Sequence, residues 1–417
     1  LLLRNKNTTK TQKTDIMNTN IDVVSVAQSV QPYVVEVRRV LHQIPETRYE
    51  TQGTREYIRK EVDKILFPVD HGLTAIHESK GGIVVDVTID QTLPRVAFRA
   101  DFDALPVPDK TGLPFASKNE GKSHACGHDA HVAMLLGFLK CVAEGKVTPK
   151  HNLRLVFQDA EENPGVAPEP ISGGEMLAKS NVLDGVQEIY GLHIWCNAKR
   201  GTPGVFFSRP GGFMGNSGRI KFVLKSSGGH VMEPSGGVNA LRVVSAVMNR
   251  LDTFIARHLD PTTQPATLEP TIVESGKASN VMPGNATVWY GFRTAEPREK
   301  HLALMDEIEA EVKQVATSLG AELVECQKMG GHPALINDAK AYEKVVGLLQ
   351  GAGQKFEIHP PVLGGEDFAH YLYQKPGCFT FLGVYQPGSG DHHQGNFNPD
   401  ETVFWQGVLY WTLLATN

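Results

Sequence analysis

The chain has 417 residues, 41% apolar and 21% charged, with 41 Lys and Arg against 46 Asp and Glu for a formal net charge of −5. This excludes a disulfide mini-scaffold and a disordered chain, and with no basic excess it argues against nucleic acid or an anionic membrane as the main partner. No stretch approaches the ~18 consecutive apolar residues of a membrane span. Five scattered cysteines, an odd count, suit a reducing, cytoplasmic compartment with free or metal-bound thiols.

Residues 1–21 are polar and rich in Lys, Thr and Asn, without the apolar core of a signal peptide. A disordered tail is expected there, with Met17 as the natural start. From residue 21 the pattern turns helical, with Val23, Val26, Ala27, Val30, Val34, Val37 and Leu41 at three- and four-residue spacing. A second helix is expected over 54–66, then strands over 82–89 and 95–99. A helix over 129–143 precedes a strand over 153–157, and a helix over 173–179 precedes a strand over 188–192. Helices alternating with short apolar strands predict an α/β layer around a mixed, largely parallel sheet.

The middle of the chain has a different pattern. Strand 219–225, helix 238–257, strands 266–274 and 286–293, helix 297–319 and strand 321–325 give the order β-α-β-β-α-β of the ferredoxin-like unit. Being complete in itself, it predicts a separate insertion, with glycine-rich hinges at 209–218 and 329–333. A helix over 339–349, a strand over 378–382 and a helix over 401–414 complete the larger layer. The division expected is a discontinuous catalytic unit, 22–212 with 328–417, interrupted by an inserted unit over 213–327.

The 16 histidines cluster. His124-Ala-Cys126-Gly-His128-Asp129-Ala-His131 holds three imidazoles, a thiol and a carboxylate in eight residues. Cys126 and His128 face apart on a helix but can converge on an extended loop, and thiolate plus imidazole suits zinc or another first-row ion. Glu161-Glu162 follows the 153–157 strand, and open α/β sheets place their sites at the carboxyl ends of strands. An isolated Glu-Glu pair is more often a solvated turn, but here one acid can bind metal while the other takes a proton from water. His193 ends another apolar strand, and Asp391-His392-His393 lies in a glycine-bearing loop. Together these loops supply enough ligands for two ions sharing a carboxylate. Asp101 and Asp103 alternate after a strand, where they can orient ligand imidazoles, as can Asp129. His230, Asn280 and Arg293 form a donor set for a carboxylate or carbonyl oxygen. Gly364-Gly365-Glu366-Asp367 reads equally as a capped helix start. No Walker A run, Gly-x-Gly-x-x-Gly or Gly-x-Ser-x-Gly motif competes.

These stretches resemble the two-metal aminoacylase and carboxypeptidase family of metallopeptidases, in its amidohydrolase branch. The matching runs are Leu41-His-Gln-Ile-Pro-Glu46, Arg99-Ala-Asp-Phe-Asp-Ala-Leu-Pro106, His124 to His131, Phe157-Gln-Asp-Ala-Glu-Glu162, Gly191-Leu-His193, Gly364-Gly-Glu-Asp-Phe368, and His393 four residues before Phe397. The resemblance implies two divalent ions (zinc, manganese or cobalt) on Cys126, His128, Glu162, His193 and His393, with Glu161 as general base. It implies His230, Asn280 and Arg293 as substrate donors on an inserted lid that dimerises, so a homodimer is expected. The expected substrate is an N-acyl amino acid or short peptide. The alternatives are a metallo-carboxypeptidase or dipeptidase, and a non-catalytic metal-binding scaffold. Three departures bear on substrate choice: Asp159 stands where the family usually has Pro, an extra loop spans 163–172, and Pro234-Ser235 replaces a Pro-His pair.

Overall fold

The computed structural model describes residues 22–67, 74–162 and 171–417. The expected tail, with Met17, and the 163–170 part of the extra loop lie outside the described residues. In chain order the strands are β1 (Thr74–Ser79), β2 (Gly82–Val87), β3 (Arg95–Asp101), β4 (Asn152–Gln158), β5 (Val186–Trp195), β6 (Val205–Ser208), β7 (Gly211–Met214) and β8 (Asn216–Lys225). They continue as β9 (Gly229–His230), β10 (Ala266–Ser275), β11 (Val281–Met282), β12 (Asn285–Thr294), β13 (Glu322–Gly330), β14 (Leu335–Asn337), β15 (Lys355–Ile358) and β16 (Gly377–Gly383).

The main sheet has eight strands in the order β1-β2-β4-β3-β5-β16-β6-β15. Its centre, β4-β3-β5-β16, is parallel, and antiparallel pairings join β2 and β6 to it. The expected mixed, largely parallel α/β sheet is therefore present. β2 and β16 are buried at every position, as strands covered on both faces must be, which is why their sequences are almost continuously apolar.

Four helices precede or cover this centre: α1 (Val23–Ser29), α2 (Gln31–His42), α3 (Gln52–Leu66) and α4 (His128–Ala143). The helical pattern that starts near residue 21 is split, because Pro32 at the start of α2 cannot continue a helix from α1. α4 is buried on all sides, packed against α2, β3 and the C-terminal helix Trp405–Thr416, which matches its apolar circumference. α2 also anchors the first turn of α4. Arg38 Nε lies 3.0 Å and His42 Nδ1 2.7 Å from the same Asp129 carboxylate oxygen, and all three side chains are fully buried.

A second sheet, β10-β12-β8-β13, is wholly antiparallel and follows the expected β-α-β-β-α-β order. The helices Ala240–Leu251 and Arg298–Ser318 pack against it, and residues such as Phe222, Val244, Val288 and Ile308 bury a cluster of their own. The expected 238–257 helix ends at Leu251, and a short helix, Phe254–His258, follows. The last helix starts at Trp405, after a 3-10 turn. One expected hinge is a ladder instead: Gly211, Gly212 and Met214 of β7 pair with β14. The short strands β1 and β15 carry too few apolar residues to stand out in the sequence, and β6, though apolar, is only four residues long. Among the described residues no helix is long and apolar enough to cross a membrane.

Removing one member of a fully buried ion pair leaves the other charge uncompensated. Arg38→Met should therefore lower unfolding free energy by about 3–5 kcal/mol, read from the shift in denaturant midpoint. A shift within error would show that His42 alone satisfies Asp129.

Candidate active site

Because β3, β4 and β5 run in one direction, their carboxyl ends meet at one edge of the sheet. Asp101 and Asp103 leave β3 there, Asp159 to Glu162 leave β4, and His193 sits near the end of β5. Gly127 turns the chain into α4 with φ of 97°, and a β-carbon on it would lie 2.2 Å from Ile194 Cδ1. The Cys-Gly-His spacing therefore needs glycine in the middle.

Of the three non-glycine residues with left-handed backbone among the described residues, Arg48, Ala160 and His393, the last two belong to this site, at φ 47° and 66°. Such conformations persist where surrounding contacts hold them. For the Ala160 turn those contacts are carboxylates. Asp103 accepts the backbone N–H groups of Glu161 and Glu162 at 3.0 and 3.1 Å, and Asp159 accepts that of Ala160 at 3.0 Å. Asp159 is held in turn by Arg55 and Thr51, each at 2.8 Å. His393 is fixed by its own N–H, which donates to Ala125 O at 2.8 Å.

The five proposed ligands come together. Cys126 Sγ is 3.4 Å from His193 Nε2, and His393 Nε2 is 3.1 Å from Glu162 Oε1. Potential ligand atoms of Cys126, His128 and His193 lie within 4.8 Å of one another, as do those of Cys126, Glu162 and His393. His193 donates from Nδ1 to Ile194 O at 2.6 Å, which leaves Nε2 as a lone pair facing the thiol. Neither ring nitrogen of buried His128 makes a well-formed hydrogen bond; Asp103 stands 3.3 Å from Nδ1 and Asp101 3.7 Å from Nε2, so both nitrogens face carboxylates without a close partner. His131, by contrast, is saturated: Nδ1 bonds Asp101 at 2.5 Å and Nε2 accepts from Ile194 N at 2.9 Å. It orients, and is not available to an ion.

The charges ask for cations. Burial opposes charge on His128, but Asp101, Asp103 and Glu162 outweigh it and push its pKa up to about 10. Burial, then the carboxylates of Glu366 and Glu162, hold Glu161 well above the usual carboxylate range. Burial, then the carboxylates of Glu162 and Glu161, raise the Cys126 thiol. A soft thiol, imidazole lone pairs and a carboxylate excess together fit divalent cations.

These groups open into a cavity of about 560 Å³. Five lining side chains, Trp195, Met214, Val362, Leu363 and Phe381, are apolar, and Ser217, Arg293 and His332 are polar. Arg293 thus reaches the cavity. His230 and Asn280 do not line it; they are exposed neighbours on the β9–β11 ribbon, where Val231 N–H donates to Asn280 O at 3.1 Å. Asp101 and Asp103 bear on the site directly, whereas Asp129 serves the anchor to α2.

Sequence reasoning gave no role to Arg99, His332, Glu366 or His392. Arg99 is fully buried and bonds Asp101 and Asp367 at 2.6 Å each, with Glu366 at 3.1 Å. The signal was available: an arginine inside an otherwise apolar parallel strand needs buried acids, and Glu366-Asp367 was the unassigned pair.

A family model described as peptidase family M20/M25/M40 matches residues 97–417. The chain is 33% identical over 385 residues to the N-acetyl-L-cysteine deacetylase of Bacillus subtilis (strain 168), covering 90% of this chain and 85% of that protein. It is 29% identical over 391 residues to thermostable carboxypeptidase 1 of Saccharolobus solfataricus, covering 93% and 96%. Among solved structures, a Bacillus subtilis protein described as a dinuclear metal binding peptidase from the M20 family superposes with a TM-score of 0.77 at 25% identity, over 93% of this chain and 98% of that one.

Cys126→Ala removes the one thiol within reach of both His193 and the Glu162–His393 pair. It should weaken retention of added zinc by more than about tenfold, the scale seen when groups supporting a metal site are lost, as measured by elemental analysis after dialysis. Unchanged stoichiometry and affinity would count against the donor set.

Proposed function

The chain belongs to the M20/M25/M40 peptidase family and is a hydrolytic enzyme, and we propose that it hydrolyses the amide bond between an acyl group and an amino acid. In this reading Cys126, His128, Glu162, His193 and His393 hold two divalent cations, zinc, manganese or cobalt. When bound, such ions supply Lewis-acid polarisation of a carbonyl and lower the pKa of water. The observation that carries the reading is Glu161: a buried carboxyl beside His128 and Glu162, on a cavity that also presents a guanidinium.

Glu161 accepts a proton from the attacking water and returns it to the leaving nitrogen, work for which a raised carboxyl pKa is suited. Asp103 holds the Glu161 backbone and so fixes where that carboxyl stands. Arg293 takes the substrate carboxylate, and the apolar lining, where Trp195 stacks on Phe381 at 4.4 Å, takes the acyl group. The deacetylase relatives support acyl removal, and the carboxypeptidase relatives keep peptides as a second reading.

The 213–327 unit is assigned as a lid and dimerisation element. Its own buried cluster, and exposed Ile272 and Val273 on the outermost strand β10, support this. His230 and Asn280, which do not line this chain's cavity, are then donors to a second copy's site. All five cysteines are free, which supports a reducing, cytoplasmic setting.

Glu161→Gln should retain bound metal but lose turnover by roughly 10²- to 10⁴-fold, the usual share of general acid–base catalysis. Near-normal kcat in that variant would remove Glu161 as the base. A panel of N-acetyl amino acids and dipeptides, assayed with metal-loaded protein, separates the two readings: higher kcat/KM on dipeptides would favour the peptidase.

A further inference from the structure

Arg293 is half-buried on β12, and its guanidinium makes no hydrogen bond or ion pair with any other described residue. Burial first, then the nearby Arg219 cation, lower its pKa from the usual guanidinium value. A desolvated cation beside a second cation needs an anion. The space for one is defined by Gly365. A β-carbon built on that glycine would lie 3.6 Å from Arg293 Nη1, 3.5 Å from His332 Cδ2 and 3.7 Å from Ser217 Cβ. Three polar side chains from β8, β12 and the 331–334 segment thus surround a volume that a glycine leaves open.

His332 is the member whose protonation geometry the fold sets. Its Nδ1 lies 3.4 Å from Nε2 of His370, with the two rings edge to face. The same His370 nitrogen faces Glu175 Oε2 at 4.0 Å, and a nearby carboxylate favours a proton on that nitrogen. With the proton on that nitrogen, His370 donates and His332 Nδ1 accepts. A neutral imidazole that accepts at Nδ1 carries its proton at Nε2. Burial keeps both rings below the ordinary histidine value, so both are neutral at pH 7. No described residue bonds His332 Nε2.

We infer that His332 is a specificity-determining donor, held in the Nε2–H tautomer by His370 acting as a positioning residue, and that with Arg293 and Ser217 it selects substrates carrying a free carboxylate. The inference rests on the amide-hydrolase reading for the identity of the substrate, but its chemistry, a carboxylate in a three-donor subsite, is tested separately by binding. Neither histidine enters the metal-ligand set or the proton path of Glu161. The pair decides which molecules stay in the cavity, not how the bond breaks.

The experiment uses metal-loaded Glu161→Gln protein and titration calorimetry with a panel of N-acetyl amino acids and their primary amides, which differ only in carboxylate against carboxamide. The parent should bind acids about tenfold or more tightly than the matching amides, the scale of one charge-assisted hydrogen bond. His332→Phe, of similar size without a donor, should bring that ratio close to that of Arg293 alone, at least about threefold lower. His332→Gln, which keeps an N–H near the same reach, should restore most of it. His370→Phe should lower the ratio while leaving amide affinity unchanged, an effect that a purely structural role would not produce. An acid preference unaltered in His332→Phe, equal losses for acid and amide, or no acid preference in the parent would each overturn the subsite. Wild-type hydrolysis of the same panel is read separately: acids bound with preference but not cleaved would sink the hydrolase reading and leave the subsite standing.

Discussion

One buried guanidinium organises the site. Arg99, in the middle of the parallel sheet, gathers Asp101 from its own strand, Gln158 from β4 and the Glu366–Asp367 pair from a turn far along the chain. Without it those acids would face one another inside the protein with no countercharge, and several kcal/mol of desolvation would go uncompensated. With it, the 364–368 turn is drawn against the ends of β3 and β4. Asp367 then accepts Gly174 N–H at 2.8 Å, and a β-carbon at Gly174 would lie 2.6 Å from that carboxylate. Gly174, the second of the Gly-Gly pair after the extra loop, is thus a consequence of the Arg99 cluster, whereas Gly173 clears the Asp159 carbonyl, 1.8 Å from where its β-carbon would lie.

Around this anchor the carboxylates exceed the fixed cations. Arg99 satisfies Asp101 and Asp367, but Glu366 is still raised to about 8, first by burial and then by its acidic neighbours against the pull of Arg99. Glu161 lies next to it and shares the same field. Asp103 has a different task, since it holds the Glu161–Glu162 backbone and stands 3.3 Å from His128 Nδ1. One acid therefore ties the ligand imidazole to the turn that carries the base. Low dielectric makes such a cluster costly when empty and strong when a cation sits in it. The local strain at Ala160 and His393 is consistent with a site built for a ligand, because contacts from separate elements hold each of them.

Much of this was legible in residue order. The His124–His131 run, the Glu161–Glu162 pair, His193 and His393 are each short-range signals, and the apolar runs before them mark strands whose carboxyl ends must lie close in a parallel sheet. Element edges were less legible. Pro32 breaks a helical pattern that continues across it, and β1 and β15 hold strand conformation through pairing with neighbours, which local composition does not encode. The glycines at 211 and 212 read as a hinge because glycine permits one, yet β14 pairs with them and removes the freedom.

The sequence by itself determined the chemistry available: which side chains can bind a cation, hold a proton or contact a carboxylate, and which strand ends deliver them. Those choices are local, fixed by residue type and by spacings of a few positions. Only the tertiary structure decided which of the candidates face one another. It put Arg293 in the cavity and left His230 and Asn280 on an exposed ribbon, turned Asp129 toward α2, and paired Arg99 with acids more than 260 positions away in the chain. It also set His370 against His332. The physical reason is that electrostatic and hydrogen-bond energies depend on separations of a few ångströms, and between distant segments only the packed sheet and its covering helices fix those separations.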